Sequence, residues 1–118
     1  MDKYLNPNPQ NIGFREEHMI SIKTYKHGKD FLVAACDTDL LGHTFSQGDL
    51  CLTVTPEFYD DLKGDENMLQ HYLHRATIAN LVGKKVITYA LKQGYITKEN
   101  IVHIQGIPHA QFLIMEND

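Results

Sequence analysis

The middle of the chain has apolar residues at the spacing of one face of an α-helix, and this pattern constrains the fold more than any other. It begins after Asp65, a favourable N-cap residue. Its members are Met68, Leu69, Tyr72, Leu73, Ala76, Ala79, Val82, Val86 and Ala90. One helix over residues 65–93 would be about 44 Å long, too long for a compact domain of this size. We therefore expect a break between Thr77 and Gly83, with Asn80 capping a second helix that ends at Gly94.

Strand-like patterns lie on both sides of this helical region. Alternating or continuous apolar runs predict strands at Ile20–Ile22, Phe31–Cys36, Leu50–Val54, Ile101–Ile104 and Gln111–Met115. A short turn or helical element is expected at Asp37–Leu41, ending at Gly42, and a turn at Gly106–Pro108. Helices grouped between hairpin-like strands predict an α+β fold. We expect a single two-layer sandwich of mostly antiparallel strands with two helices, in the order β-β-β-α-α-β-β.

The first 17 residues differ in composition from the rest. They are rich in Asn and Pro and lack apolar periodicity, so we expect residues 1–17 to be a flexible N-terminal extension and residues 18–118 a single domain. No apolar run approaches the ~20 residues of a membrane span, and no signal peptide is recognisable. We expect a cytoplasmic protein with no membrane partner, and two reduced cysteines, Cys36 and Cys51, in strands.

The charge balance limits the class of partner. The chain has 11 basic and 15 acidic side chains, a formal net charge of −4. Proteins that coat duplex DNA usually carry a basic surplus that displaces counterions from phosphates. The sequence therefore gives no strong DNA-binding signal, and the acidic balance also weighs against RNA.

Three side chains form a candidate catalytic set. Cys36 and Asp37 lie where an apolar strand ends, and His109 is a distant candidate base, with His43 as the alternative. A thiolate nucleophile needs such a base or cation nearby to lower its pKa. The alternative is a buried strand cysteine beside a helix-capping aspartate.

The most distinctive local run is Gly106–Gln111, with the sequence GIPHAQ. Gly106 and Pro108 restrict the backbone, while His109 and Gln111 point the same way if the segment is extended. Such a pair can bind a base edge, a carboxylate or a metal. The alternative is a tight hairpin whose polar side chains satisfy their own backbone amides.

Two helical faces carry weaker signals. His71 and His74 are three residues apart, but a zinc site would need further ligands. Lys84 and Lys85 lie on the polar side of the second helix, which is either a phosphate-binding face or an ordinary solvated one. Walker, GxGxxG and HExxH motifs are absent, so the sequence names no cofactor and no metal ligand.

Two long stretches resemble a known family. Residues 33–59 (VAACDTDLLGHTFSQGDLCLTVTPEFY) and 76–111 (ATIANLVGKKVITYALKQGYITKENIVHIQGIPHAQ) are similar to the archaeal domain-of-unknown-function family number 424. The resemblance implies an archaeal source and a compact α+β domain, and it brings no catalytic assignment. The matching motif residues are Cys36, Asp37, Leu41, Gly42, Asn80, Gly83, Gly106, Pro108, His109 and Gln111. Four polar members, Cys36, Asp37, His109 and Gln111, suggest one shared site.

Two hypotheses about function follow. The first is a non-catalytic interaction module, acting in a process such as translation, with RNA or a protein as its partner. Its expected binding residues are Asn80, Lys84, Lys85, Gly106, Pro108, His109 and Gln111. The second is a small enzyme or ligand-binding or metal-binding protein. There Cys36 would be nucleophile or metal ligand, His109 general base or second ligand, and Asp37 the group that orients the histidine.

Overall fold

The computed structural model of the chain describes residues 19–114. These residues form eight strands and three α-helices, and the proposed extension at 1–17 lies outside them. The elements are β1 Ile20–His27, β2 Asp30–Asp37, β3 Thr44–Gln47, β4 Leu50–Thr53, α1 Pro56–Tyr59, β5 Leu62–Gly64, α2 Glu66–Leu73, β6 Ile78–Val82, α3 Lys84–Lys92, β7 Val102–Ile104 and β8 Ile107–Leu113. Short 3-10 helices occupy Thr38–Leu40 and Lys98–Asn100.

Six of the strands form one sheet in the order β5-β1-β2-β6-β8-β7, and β3 pairs with β4 in a separate hairpin. The pairing of β2 with β6 is parallel, whereas the other pairings in the six-stranded sheet are antiparallel. The α+β class with a mostly antiparallel sheet is therefore confirmed.

The two faces of this sheet bury different partners, because successive residues of a strand point to opposite sides. One side, the helix face, packs Ile22, Val33 and Leu81 against α2 and α3. The other side, the hairpin face, packs Cys36 and Val82 against residues of β4, the segment after it, and α1. Each strand residue can thus be assigned to a face from its position alone.

The expectation of two consecutive helices with Asn80 as an N-cap is wrong. Residues 78–82 form the inner strand β6, and Asn80 lies in its middle. The cause is ambiguity in the pattern, since a short apolar run that is buried on both faces also satisfies helical spacing. Two other predicted helix boundaries are confirmed. The Asp65 side chain accepts hydrogen bonds from amides in the first turn of α2, and Gly94, just after α3, has a φ of +83°.

Other boundaries also differ from expectation. Strands β3 and β5 were not expected, and the turn near the C-terminus lies at Gln105 and Gly106, which have φ values of +53° and +80°. Ile107 and Pro108 already belong to β8. No helix within residues 19–114 has the length and apolar character needed to cross a membrane.

Candidate functional site

A chain of polar contacts lies on the hairpin face, where Tyr59 at the end of α1 reaches Asn80 in the middle of β6. The Tyr59 hydroxyl donates to Asn80 Oδ1 at 2.6 Å, and His109 Nε2 lies 3.3 Å from the same oxygen. Burial raises the pKa of Tyr59, which therefore keeps its proton. Because Asn80 Oδ1 accepts, His109 Nε2 carries a hydrogen and Nδ1 is left as an acceptor. The network fixes the orientation and tautomer of the imidazole.

Gln111 lies next to this network. It is paired with Asn80 across β6 and β8, so its exposed side chain also points to the hairpin face. A cleft of about 320 Å³ beside it is lined by Asn100, Val102, His109, Ala110 and Gln111. A second cleft of about 440 Å³ is lined by Ile78, Gln111, Phe112 and Leu113. Of the residues expected to bind, the structure therefore brings Asn80, His109 and Gln111 together.

Cys36 is separated from this group. It is fully buried, and its pKa is raised to about 12, chiefly by burial and then by the charge of Asp37. Cys36 is paired with Val82, which is in turn paired with His109, so a buried valine stands between the two. Two strand spacings place their backbones roughly 10 Å apart, beyond direct hydrogen bonding.

Asp37 lies on the opposite side of the sheet, at the start of α3. Its Oδ2 accepts from the Lys85 N–H and its Oδ1 from the Val86 N–H, both at 3.0 Å. Burial raises the pKa of Asp37, and the two amide bonds act in the opposite direction. The carboxylate thus occupies the position at which a helix N-terminus would hold a phosphate. The thiol, carboxylate and imidazole are not assembled into one site.

The remaining candidates are dispersed. Lys85 lines a cleft of about 330 Å³ with Asp65, Glu66 and Asn67, on the helix side of the sheet. Lys84 is exposed at the first position of α3, and Pro108 accepts a bond from the Gly83 N–H. Within the described range, no three His, Cys, Asp or Glu side chains are grouped so that they could hold a metal ion.

The outer edge of β8 is only partly paired. The Gly83 N–H donates to the Pro108 carbonyl and the Ile114 N–H to the Thr77 carbonyl, so even-numbered residues of β8 direct their main-chain groups toward β6. Odd-numbered residues therefore face outward. Strand β7 pairs with residues 107–109 alone. The outward N–H and C=O groups of Gln111 and Leu113 consequently have no strand partner within residues 19–114.

The surroundings of this edge are apolar. Val102, Leu113 and Ile114 have exposed fractions of 45%, 62% and 52%. Residues 110–114 (AQFLI) contain no charged side chain. At the other end of the sheet, β5 covers residues 20–22 of β1, and the uncovered part of β1 carries Lys23 and Lys26. Lysines on an edge strand discourage pairing with a further strand, and the edge of β8 lacks them.

Two features of this region were missed from the sequence. Tyr59 closes one of the quoted family stretches, but its contact with Asn80 joins residues 21 positions apart. The exposed Leu113 could have been noticed because the run from Ala110 to Ile114 has no charge. A strand that is paired on both edges does not need charged residues either. The uncharged run alone therefore does not distinguish an open strand edge from a paired one.

Protonation of His109 is expected to destabilise the fold. Burial lowers the pKa of His109 below the ordinary value of 6.5, so the unfolded chain takes up the proton first. Neutral, buried His109 makes its full contribution to the free energy of unfolding above pH 6.5. As the pH falls through and below 6.5, the free energy of unfolding decreases, by no more than about 1.4 kcal/mol per pH unit. Urea unfolding between pH 7.5 and 5 measures it, with His109→Gln as the reference. If the difference between the two proteins does not change over this range, this coupling is absent.

Comparison with known proteins gives a family and a fold. The family described as "Protein of unknown function (DUF424)" matches residues 25–115. The fold is similar to that in the crystal structure of an uncharacterized conserved protein from Methanopyrus kandleri. The TM-score is 0.68 and the identity 19%, over 85% of this chain and 96% of that chain, so the likeness concerns the fold alone. A comparison with curated proteins gives no match.

Proposed function

The chain belongs to the DUF424 family of proteins of unknown function, and we propose that it is a non-catalytic interaction module that binds an extended segment of a protein partner along the outer edge of β8. The observation that carries this proposal is the main chain of Gln111 and Leu113, which has no outward strand partner within the described range 19–114 and lies beside three exposed apolar side chains. An added strand would bond to both residues and cover Leu113 and Ile114. This is the mode of recognition known as β-augmentation.

The geometry of the edge suits a polypeptide main chain. Gln111 and Leu113 are two positions apart, so their outward groups repeat at about 6.8 Å, the repeat of another extended strand. Each of the hydrogen bonds formed contributes a net ~0.5–1.5 kcal/mol. Burial of Leu113 adds to this at about 25 cal/mol per Å² of apolar surface. Affinity would thus come from the main chain and one or two apolar contacts.

The charges favour a protein over RNA as partner. The segment 107–114 contains no lysine or arginine, and among residues 19–114 the clefts beside Gln111 are lined by no basic side chain apart from His109. Lys85 lies on the other side of the sheet, with Asp65 and Glu66. RNA binding draws much of its affinity from contacts between phosphates and lysine or arginine, and the described lining of these clefts contains neither.

The enzyme hypothesis receives less support from the geometry. A nucleophilic thiol needs a lowered pKa and access to substrate, whereas Cys36 is fully buried with a raised pKa. Asp37 is engaged with two amides of α3 and cannot orient His109.

We also propose a cytoplasmic location, and the two free cysteines support a reducing compartment.

A lysine in place of Leu113 is expected to weaken binding at the edge at least tenfold. It removes an apolar contact and brings a charge that an incoming strand would have to desolvate. The probe is a panel of capped six-residue peptides with alternating apolar and polar residues. Binding is followed by chemical shifts and by slowed amide exchange of Gln111 and Leu113.

Leu50→Lys is the matched control, because Leu50 is also exposed, at 48%, but lies on the separate β3–β4 hairpin. The Leu50→Lys variant should bind the peptides as tightly as the unmodified protein does. If no peptide alters the signals of β8 in the folded protein, or if both lysine variants bind equally well, the proposed function is wrong.

A further inference from the structure

We propose that the bound segment carries an uncharged carboxamide side chain, Asn or Gln, at the residue paired with Gln111, and that the notch beside β8 selects it. The notch is the cleft of about 320 Å³ lined by Asn100, Val102, His109, Ala110 and Gln111. This inference rests on the proposed function, since it requires a strand at this edge.

The position of the notch follows from the unequal lengths of two strands. Strand β7 begins at Val102, opposite His109, and the residues before it form the 3-10 helix Lys98–Asn100 instead of a strand, while β8 continues to Leu113. The notch is therefore the space between Asn100 of this 3-10 helix and residues 109–111 of β8. In an added strand, the residue directly opposite Gln111 projects to the same face as Gln111, with the two Cβ atoms about 5 Å apart. Its side chain would enter the notch next to His109.

The lining offers both donors and acceptors. The Gln111 side chain has no hydrogen-bond partner among residues 19–114 and can act as either. His109 presents Nδ1 as an acceptor, because its Nε2 contacts Asn80. Asn100 Oδ1 already accepts from the Thr97 amide and hydroxyl, which leaves its amide hydrogens as donors. A carboxamide has one acceptor and two donor hydrogens and can complement all three residues.

Charged side chains fit the notch poorly. Among the residues that the structure describes, no Asp, Glu, Lys or Arg lines it, and burial favours the neutral form of His109. A carboxylate would face the Nδ1 lone pair, and an ammonium would find no opposite charge to offset its desolvation. An apolar side chain could contact Val102 but would form no hydrogen bond with the polar groups of the lining. The uncharged amide avoids both costs.

The neighbouring position supplies a second requirement. A residue paired with Leu113 points to the same face and meets Leu113, which lines the cleft of about 440 Å³ together with Ile78. We therefore expect an apolar residue at this position of the bound segment. In an antiparallel segment, the preferred pattern is thus an apolar residue followed two positions later by Asn or Gln.

Three capped peptides test this inference. They have the sequence Ac-Lys-Thr-Val-Thr-Xaa-Gly-amide, with Gln, Leu or Glu at Xaa, and their dissociation constants are measured by titration followed by chemical shifts. The Gln peptide is expected to bind about five to ten times more tightly than the other two. In Gln111→Ala, the Gln peptide should lose this advantage. Gln70→Ala changes an exposed glutamine on α2 and should keep it.

The outcomes separate the two proposals. If none of the peptides perturbs β8, the proposed function fails together with this inference. If all three bind equally, or if Gln111→Ala keeps the preference, the carboxamide inference fails while binding at the edge stands. A second copy of the chain could pair its own edge antiparallel, which would set Leu113 of that copy opposite Gln111. Sedimentation that shows a dimer dissociated by Leu113→Lys would therefore also overturn the carboxamide inference.

Discussion

Replacing Gly83 with alanine is expected to lower the free energy of unfolding by about 3 kcal/mol or more. Gly83 has φ +108° and ψ 154°, a region populated almost only by glycine, where another residue costs about 1–3 kcal/mol. An added Cβ would also clash with Asp37 Cγ. The carboxylate would have to move, and the Lys85 and Val86 amides would lose their acceptor. Urea unfolding measures the loss.

The Gly94→Ala variant separates the cost of backbone strain from the cost of displacing the Asp37 carboxylate. Gly94 has a positive φ of 83°, but nothing lies within 4 Å of an added Cβ, so strain of about 1–2 kcal/mol is the whole expected cost. Gly83→Ala should therefore be distinctly more destabilising. Equal losses in the two variants would show that the Asp37 contact contributes little.

Asp37→Ala is expected to destabilise the protein by about 2–4 kcal/mol. The substitution removes the acceptor of two amides at the start of α3 and leaves the buried Val86 N–H without a partner. It also removes the negative charge that favours a helix N-terminus. Chemical denaturation at pH 7 gives the value.

Asp65→Ala is the matched control, since Asp65 caps α2 in the same way but is exposed. Water can replace its carboxylate, so the loss should be about 1 kcal/mol. The double variant of Asp37 and Gly83 should lose less than the sum of the single losses by at least ~1 kcal/mol, because both remove one interaction. Strict additivity would contradict the shared role.

Local signals in the sequence predicted a substantial part of the fold. The cap at Asp65 and the end at Gly94 are determined by neighbouring residues, and both were found as expected. The strand at residues 78–82 was mistaken for a helix because its two sides are covered by distant elements, which no local spacing reveals. Tertiary context decides such short apolar runs.

The candidate site was predictable where alternation alone determines it. His109 and Gln111 lie on one face because they are two positions apart in a strand. The same rule separates Cys36 from Asp37, which are adjacent in β2 and point to opposite sides. A helix-capping role for Asp37 was the alternative to catalysis, and it is found, but the amides that Asp37 accepts from are 48 and 49 positions away, and no local signal indicates which helix is capped.

The single parallel pairing has a consequence for how the protein folds. Strands β5, β1 and β2 form one antiparallel unit and β6, β8 and β7 another, and the two units meet along β2 and β6. The chain between these two strands is residues 38–77, so their pairing closes a much longer loop than either hairpin does. We therefore expect closure of this seam to be a slow, non-local step of folding. Asp37 ends β2 and bonds to the helix that follows β6, so it stabilises the seam as well as the helix.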